Sequence, residues 1–459
     1  MVLSFAFALS ALAQTAIHAG LHGTVTDVSG ASVVNATVEL TLDQPQFRAT
    51  QQTTSDGAFR FVRLIPAAGY RVSVTAPGMA AWQRSGIEAL SGQSNVVAVV
   101  LTVGERTDRV EVKAEAPPLA VDSAELATAV DRKALDTLPT NGRVITRFAL
   151  LDARVRNTNA LGGDGSNQYR LSINGNIFRD SQHRLDGNTN YDTMFNNIPL
   201  QRVPLLAVQE FRVLTNQFTA EHGSTAAGLT ITTTKSGTDA FHGEAFLLGR
   251  PSGIQARPPL ASLRIPNQLI QTGGNVGGPL RSGRTYFFAS YERSNQDRGS
   301  FISSGARGFY LGDYTDNLAV VKIDHRIADS HWVSARINGH RDRNTNANDR
   351  VGGLLQPSAA TFAVTQATGV QLTDTKTWGG FVNEARLGYT NAVPSSSLPQ
   401  NPSLVVLRPG YSTEGAATYS NNRTEVFQVA DQISFQHGQH TFKAGGDFIR
   451  RKVRDRQFD

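Results

Sequence analysis

From Phe241 onward the chain alternates polar and apolar residues in successive runs of about ten, the period of strands whose two faces meet different surroundings. In 332–340, Val333, Ala335 and Ile337 alternate with Ser334, Arg336, Asn338 and His340. In 319–327, Ala319, Val321, Ile323 and Ile327 alternate with Val320, Lys322, Asp324 and Arg326. Phe381, Ala385, Leu387 and Tyr389 likewise oppose Glu384, Arg386 and Thr390, and Phe427, Val429, Ile433 and Phe435 oppose Gln428, Gln432 and Ser434. Short turns at Ala328-Asp329-Ser330 and His437-Gly438-Gln439 alternate with long polar stretches at 341–360 and 392–423. Beyond the first 20 residues no apolar run reaches the ~20 residues of a spanning helix, so if this chain crosses a membrane it does so with strands. Lipid-facing apolar and water-facing polar residues in an antiparallel transmembrane barrel explain both the alternation and the loop asymmetry. A soluble β-sandwich with a charged outer face explains the alternation equally well but leaves the loop asymmetry unexplained. Asp431 breaks the apolar face of its strand and is expected beyond the membrane edge. Tyr286-Phe287-Phe288 and Tyr291 are expected in an interfacial girdle.

The chain contains no cysteine, which removes disulfides, thiolate catalysis and cysteine-bound zinc from consideration. Its net charge of +6 comes almost wholly from arginine, since there are only seven lysines, and the arginines are scattered. Without a basic helix or an aromatic-interleaved basic stripe, no nucleic-acid partner is expected. The dense run Arg450-Arg451-Lys452 with Arg454 and Arg456 reads as a solvated strand end. Residues 1–20 read as an export signal, with an apolar run Val2–Leu12 and the small-x-small triplet Ala11-Leu12-Ala13 before Gln14. The basic residue that usually precedes such a run is missing.

Residues 21–102 alternate through Val25, Ala36, Val38 and Leu40, then Phe59, Phe61, Tyr70, Val72 and Val74, with turn residues at Asp27, Gly30, Asp56-Gly57, Pro66, Gly69 and Pro77-Gly78. Short strands so spaced predict an antiparallel β-sandwich. The set Gly30-Ala31, Val33, Ala36, Val38, Asp56-Gly57, Phe59, Phe61, Leu64, Pro66, Gly69-Tyr70, Ala76 and Gly78 resembles the carboxypeptidase-regulatory-like domain. No His-Glu-x-x-His pair accompanies it, so a binding or spacer module is expected rather than a peptidase.

Residues 103–119 form a connector around a short strand, Asp108, Arg109, Val110, Glu111, Val112, Lys113 and Ala114, which ends before Pro117-Pro118. The following segment, 120–238, carries Leu138-Pro139-Thr140-Asn141-Gly142-Arg143, Ser172-Ile173-Asn174-Gly175, Leu185-Asp186-Gly187-Asn188, Glu210-Phe211, Glu221-His222-Gly223 and Lys235-Ser236-Gly237. In order and spacing these resemble the α+β plug of TonB-dependent receptors, specifically the Oar-like branch with a sandwich domain in front. His222, where Tyr is commoner, and Thr230-Ile231-Thr232 depart from that pattern. The resemblance makes Asn141, Gly142, Arg143, Asn174, Gly175, Asp186, Gly187, Glu210, Phe211, Glu221, Gly223, Lys235, Ser236 and Gly237 the plug motif. It also makes 108–114 a candidate TonB box, a segment that pairs as an added strand with the energy-transducing partner; an ordinary interdomain strand fits the six-residue alternation as well.

The fold implied is mainly β: an N-terminal sandwich, an α+β plug, and, over 239–459, the first strands of an incomplete barrel. Roughly eight or nine strands are legible there, whereas plugged transporters close with about 22, so the sequence reads as the front part of a longer barrel. The resemblance implies a Gram-negative outer-membrane location with the N-terminal domain periplasmic, outer-membrane lipid and the TonB complex as partners, and uptake of an unknown extracellular ligand. The ligand surface would combine loops near 157–168 and 186–197 with the long barrel loops; the sandwich points by analogy to glycans or peptides. The alternative is a structural or adhesive outer-membrane protein on the same scaffold without active transport. A surface carbohydrate hydrolase would need paired carboxylates, and the acidic residues here stand singly on alternating strands. No catalytic residue, cofactor or metal site is expected. Asp186-Gly-Asn188-Thr-Asn190-Tyr-Asp192 has Tyr191 where a calcium loop needs Gly and Asn197 where it needs Glu. Gly273-Gly274-Asn275-Val276-Gly277-Gly278 is followed by Pro279, which no phosphate loop tolerates.

Overall fold

The computed structural model describes residues 19–458 apart from 43–46, 65, 91–93, 105–108, 114–125, 159–169, 194–196, 217–218, 224, 258–263, 304–307, 347–350, 379–380, 400–404, 409–410, 415–418 and 438–439. The export signal expected over 1–20 thus falls almost wholly outside the described residues. The first unit consists of β1 (Ala19–Asp27), β2 (Thr37–Leu42), β3 (Phe47–Gln52), β4 (Ala58–Leu64), β5 (Ala67–Thr75), β6 (Ala81–Ala89) and β7 (Ser94–Leu101). One sheet has the order β4-β1-β7, with β1 antiparallel to β4 and parallel to β7. The other runs β3-β2-β5-β6 and is extended at its edge by β8 (Arg109–Lys113), which lies parallel to β6. Alternate residues Val38, Leu40, Tyr70, Val72 and Val74 of one sheet meet Leu21, Val25, Phe59 and Phe61 of the other in a single apolar core. Gly23 sits where β1 crosses under Phe59: a Cβ there would overlap the Val97 carbonyl and lie 2.8 Å from the Phe59 ring.

The central unit holds β9 (Leu126–Val130), α1 (Arg132–Thr137), β10 (Val155–Asn157), β11 (Leu171–Ile173), β12 (Ser181–Leu185), β13 (Asn188–Thr189), β14 (Val208–Asn216) and β15 (Gly228–Thr234). Its main sheet has the order β13-β12-β15-β14-β9, with β10 and β11 pairing separately. Asp131 starts α1 by accepting the Ala134 amide at 2.9 Å, an N-cap that satisfies one of the helix's orphan donors. Every residue of β15 is buried.

The third unit is an antiparallel wall of nine strands: β16 (His242–Arg250), β17 (Leu269–Arg281), β18 (Thr285–Ile302), β19 (Gly308–Ala328), β20 (His331–Asn344), β21 (Thr361–Trp378), β22 (Phe381–Pro399), then β25 (Tyr419–His437) and β26 (His440–Phe458). A small hairpin, β23 (Val405–Arg408) and β24 (Tyr411–Glu414), lies in the connection between β22 and β25. The wall is open among the described residues, β16 and β26 not being paired with each other. Its strands are longer than the roughly ten residues expected, reaching 21 in β19. The long loops are accordingly shorter than their polar composition suggested, at 345–360 and 400–418. The reason is that ladder hydrogen bonds do not end where the apolar band does, and the polar ends of these strands remain paired beyond it.

The alternation maps onto two faces, as expected. Val321, Ile323, Ile337, Leu372, Leu387, Tyr389, Phe427 and Val429 are exposed on the outer face. The polar partners do not face water, however: Lys322, Asp324, Arg336, Glu384, Arg386 and Gln428 are buried, because the central unit covers the inner face. Phe288 and Val320 from the wall join the central unit's own apolar core. The expected girdle is also redistributed. Phe288 is fully buried inward and Tyr286 donates its hydroxyl to Asp239 at 3.1 Å. The outer aromatic row at the short-turn end is instead Trp378, Phe381, Phe435 and Phe442, with successive ring centroids 6.0, 5.2 and 4.9 Å apart. Asp431 lies outward near that end, accepting from Asn383 at 2.8 Å. The basic run near the end of the chain is a paired strand end with Arg450, Lys452, Arg454 and Arg456 exposed, as expected, while Arg451 turns inward over the Tyr191 ring at 4.9 Å.

Gly23→Ala is expected to make 19–101 sensitive to protease, because the added methyl has no space between β1, β7 and Phe59. The heat-modifiable migration of the wall on gels should be unchanged; a protease-resistant first unit in this variant would contradict the packing described.

Candidate functional site: the seam between the central unit and the wall

The chemistry of this seam is charge pairing between side chains that neither unit could bury alone. In the 141–143 turn, Gly142 has φ 79° and Arg143 φ 53°, and this bend aims Arg143 at the wall. Arg143 Nε donates to Glu292 of β18 at 3.1 Å, and its guanidinium stacks 4.1 Å from the Phe246 ring of β16. Asn174-Gly175 and Asp186-Gly187 are both turns with positive φ at two successive residues, as tight hairpins require. Asn174 donates to the Thr215 carbonyl, tying its turn to β14. Asp186 accepts from the Thr234 amide and hydroxyl, each at 2.7 Å, and pairs with Arg336 of β20. Phe211 is in the central core, and Glu210 is buried 3.9 Å from Arg212. Glu221 takes the ammonium of Lys443 from β26 at 2.7 Å, while Gly223 has open space beside it. Lys235 pairs with Glu244 of β16 at 3.0 Å. At Gly237 a Cβ would overlap the Phe287 carbonyl and lie 2.9 Å from that of Gly278, so the exit from the central unit is pressed against wall backbone. Asn141 and Ser236 sit in these same two segments.

The most heavily charged contact was not singled out from the sequence. Arg202 reaches Asp316 of β19 at 2.8 Å and Asp342 of β20 at 2.5 Å, and all three are buried or nearly so. Two carboxylates on one guanidinium raise its pKa further above its already high value, against the opposing effect of burial. The signal for it in the sequence is the inward register of charged residues on alternating strands, a pattern that contact with water explains equally well. A cavity of about 50 Å³, room for one or two waters, lies beside this cluster between Arg143, His183, Arg202, Glu292 and Asp316.

The segment 186–190, expected among the ligand loops, is buried against the wall: Gln371 donates to the Asp186 carbonyl at 2.7 Å and Gln428 accepts the Thr189 amide at 2.9 Å. Asn190 holds both the amide and carbonyl of Gln201, at 2.7 and 2.9 Å. The oxygen-rich run from Asp186 to Asp192 thus spends Asp186 and Asn190 on internal contacts. Most of 157–168 lies outside the described residues. Of the candidate TonB box, Arg109–Lys113 is β8, and Asp108 and Ala114 lie outside the described residues. The sandwich meets the short-turn end of the seam, where Arg60 donates to Ser434 at 3.1 Å and Gln209 donates to the Pro66 carbonyl at 2.8 Å.

Asp152, His183 and His222 are among the groups of the central unit that carry shifted pKa values. Asp152 is held down at about 2 by hydrogen bonds from Arg154 and Thr128. Burial lowers His183 to about 4, its ring bonded to Thr230 and to the Asn197 carbonyl at 2.7 and 3.0 Å. Burial, with Arg184, Arg212 and Lys443 nearby, lowers His222 to about 3. A histidine depressed on folding binds its proton more readily when unfolded, so its stabilising contribution is complete above pH ~6.5 and is lost as pH falls toward 4. Asp152 acts at lower pH, its contribution persisting down to about 4 and fading toward 2.

Two outcomes follow for variants. Arg202→Ala should destabilise the seam by ~3–5 kcal/mol by leaving two buried carboxylates unpaired, whereas Lys235→Ala, facing the half-exposed Glu244, should cost ~0–1 kcal/mol. Hydrogen exchange of β15 would rank them, and equal protection in both would be inconsistent with this geometry. Replacing His183 and His222 together by Gln should flatten the fall in seam stability between pH 6.5 and 4; an unaltered slope would assign it to other groups.

Comparison with known proteins agrees with this architecture. Residues 20–102 match the carboxypeptidase regulatory-like domain, and residues 233–306 and 311–459 match an outer membrane beta barrel domain. The TonB-dependent transporter Oar of Myxococcus xanthus is 24% identical over 286 residues, covering 59% of this chain and 26% of that protein. Among solved structures, the siderophore receptor PirA from Acinetobacter baumannii has a TM-score of 0.52 at 14% identity, over 71% of this chain and 48% of its own. The outer membrane transporter YddB from Escherichia coli gives 0.54 at 10% identity, over 71% and 48%. The ferric yersiniabactin uptake receptor FyuA from Yersinia pestis gives 0.52 at 14%, over 72% and 50%. The chain therefore spans about half the length of these solved receptors and about a quarter of the curated relative. With a carboxypeptidase regulatory-like domain ahead of a unit seated on a wall that matches an outer membrane beta barrel domain, the chain is an outer-membrane protein that resembles the TonB-dependent receptors, the transporter Oar among them.

Proposed function

We propose that this receptor serves energy-coupled uptake of an extracellular ligand, with 120–238 as the plug, 103–119 as the connector and the N-terminal sandwich in the periplasm. The observation that carries the reading is the seam itself. A unit tied to the wall by buried ion pairs from Arg143, Asp186, Arg202 and Glu221 does not leave by thermal motion alone, so opening requires work from outside. The point where that work enters is 108–114, the TonB box in this reading. Within it, β8 is an edge strand, paired on one side with β6 and, among the described residues, offering unpaired amides and carbonyls on the other. Such an edge takes an added strand by main-chain hydrogen bonds. The chemistry is binding and gating, with no covalent step.

The absence of native cysteine permits a direct test. Val110→Cys in the full chain should form a disulfide in cells with a cysteine placed in the partner-binding strand of the organism's TonB. Adding Val112→Pro, which removes a ladder amide, should abolish that adduct. No adduct at any of positions 109–113, in a receptor that still reaches the outer membrane, would favour the structural or adhesive alternative.

A further inference from the structure

On the long-loop side of its apolar rows, the outer face of the wall becomes basic. Along β20, outward Ala335 and Ile337 are followed by Gly339, Arg341 and Arg343; along β25, Val429 and Phe427 are followed by Glu425 and Arg423. On β18 Tyr291 is followed by Arg293, and on β26 Phe448 by Arg450, Lys452 and Arg454. Strand register sets Arg293 opposite Asn317 and Asn317 opposite Arg341, in one polar row. In this band lies a shallow depression of about 510 Å³, rimmed by Tyr291, Asn317, Arg341, Thr368, Asn391 and Arg423. Its floor includes Gly339, where a Cβ would meet only the Ala367 carbonyl at an ordinary 3.6 Å. Backbone packing therefore does not require glycine there, and the missing side chain keeps the floor open.

The cations at this rim are held in place but poorly neutralised. Arg423 Nε donates to Asn391 at 3.1 Å, Arg293 to Asn317 at 3.2 Å, and the Tyr291 hydroxyl to the same Asn317 oxygen at 2.8 Å. Among the described residues no acid lines the depression; Glu425, beside it on β25, lies 3.7 Å from Arg423, and Arg341 is in no ion pair there. A guanidinium on the lipid-facing side is costly in hydrocarbon and tolerated at the interface, where headgroup anions can pair with it. The long-loop end of such a wall faces outward from the cell.

We propose that this depression binds the headgroup of an outer-leaflet glycolipid that carries phosphate. Arg341 and Arg423, three strands and so ~14 Å apart at their backbones, take phosphate oxygens from either side. Thr368, Asn391 and the Tyr291 ring contact the sugar, and the acyl chains lie over Ile337, Val370 and Tyr389 below. The site depends on the outer-membrane location and not on transport, so it stands or falls separately from the uptake reading.

Native mass spectrometry of the detergent-purified full chain tests it, using bisphosphorylated lipid A and the same lipid after enzymatic removal of both phosphates. The unaltered protein should retain the phosphorylated form at least about tenfold better, each arginine near an anionic headgroup contributing several-fold. R341Q/R423Q should bring the two lipids to within about twofold. R257Q/R264Q, removing the same charge from the 251–268 loop, should keep the preference. Equal retention of both lipids by the unaltered protein overturns the proposal, as does an unchanged preference in R341Q/R423Q. If that variant fails to show heat-modifiable migration, the two-lipid comparison on the unaltered protein decides alone.

Discussion

The structure rests on one electrostatic condition: the inner face of the wall is charged and out of water. Lys322, Asp324, Arg336, Asp342, Glu384 and Arg386 all point inward and all are buried. Ions removed from water need partners of opposite sign close at hand, or their desolvation dominates. The central unit supplies them in Arg202, Asp186, Glu221 and Arg143, while Arg386 and Glu384 satisfy each other at 2.7 Å. Apolar contact alone would leave these groups stranded. The wall in turn lends Phe288 and Val320 to the central core, so each unit completes the other's interior.

Much of this was legible because strand periodicity is local. Whether Ile337 faces out and Arg336 in follows from position along a single strand, and a two-residue repeat carries that information without knowledge of neighbours. What Arg336 faces does not follow. Water in a lumen and a carboxylate on Asp186 demand the same residue type, and only the pairing of segments 150 residues apart distinguishes them. Arg202 escaped notice for a similar reason, lying in no glycine turn and no repeat. The girdle departs from expectation because Tyr286-Phe287-Phe288 alternates faces within three residues, placing only Phe287 of the three outward. The true outer row draws single aromatics from β21, β22, β25 and β26, which register alone brings together.

The glycine-bearing turns were the most informative part of the middle segment. Asn174-Gly175 and Asp186-Gly187 announce positive φ at two positions, and those bends are found there. Gly237 has a different purpose, since it is not among the glycines of positive φ and the constraint is the wall pressing on it. The sequence could not separate these two uses of glycine. Likewise the short strand at 109–113 looked isolated in the sequence, yet it lies in register with Ala81–Ser85 of a domain that ends before it.

The position of β9 sets the order in which the central unit would come apart under load. The connector leads into β9, the outermost strand of its sheet, bound among the described residues on one side only, to β14. A tensile force arriving from the connector therefore falls first on one short antiparallel ladder, not on β12 and β15, which sit inside the sheet beside the Asp186 anchor. The unit behaves mechanically as elements in series with the softest nearest the handle. Force of modest size would strip that one strand and leave the rest of the unit clamped.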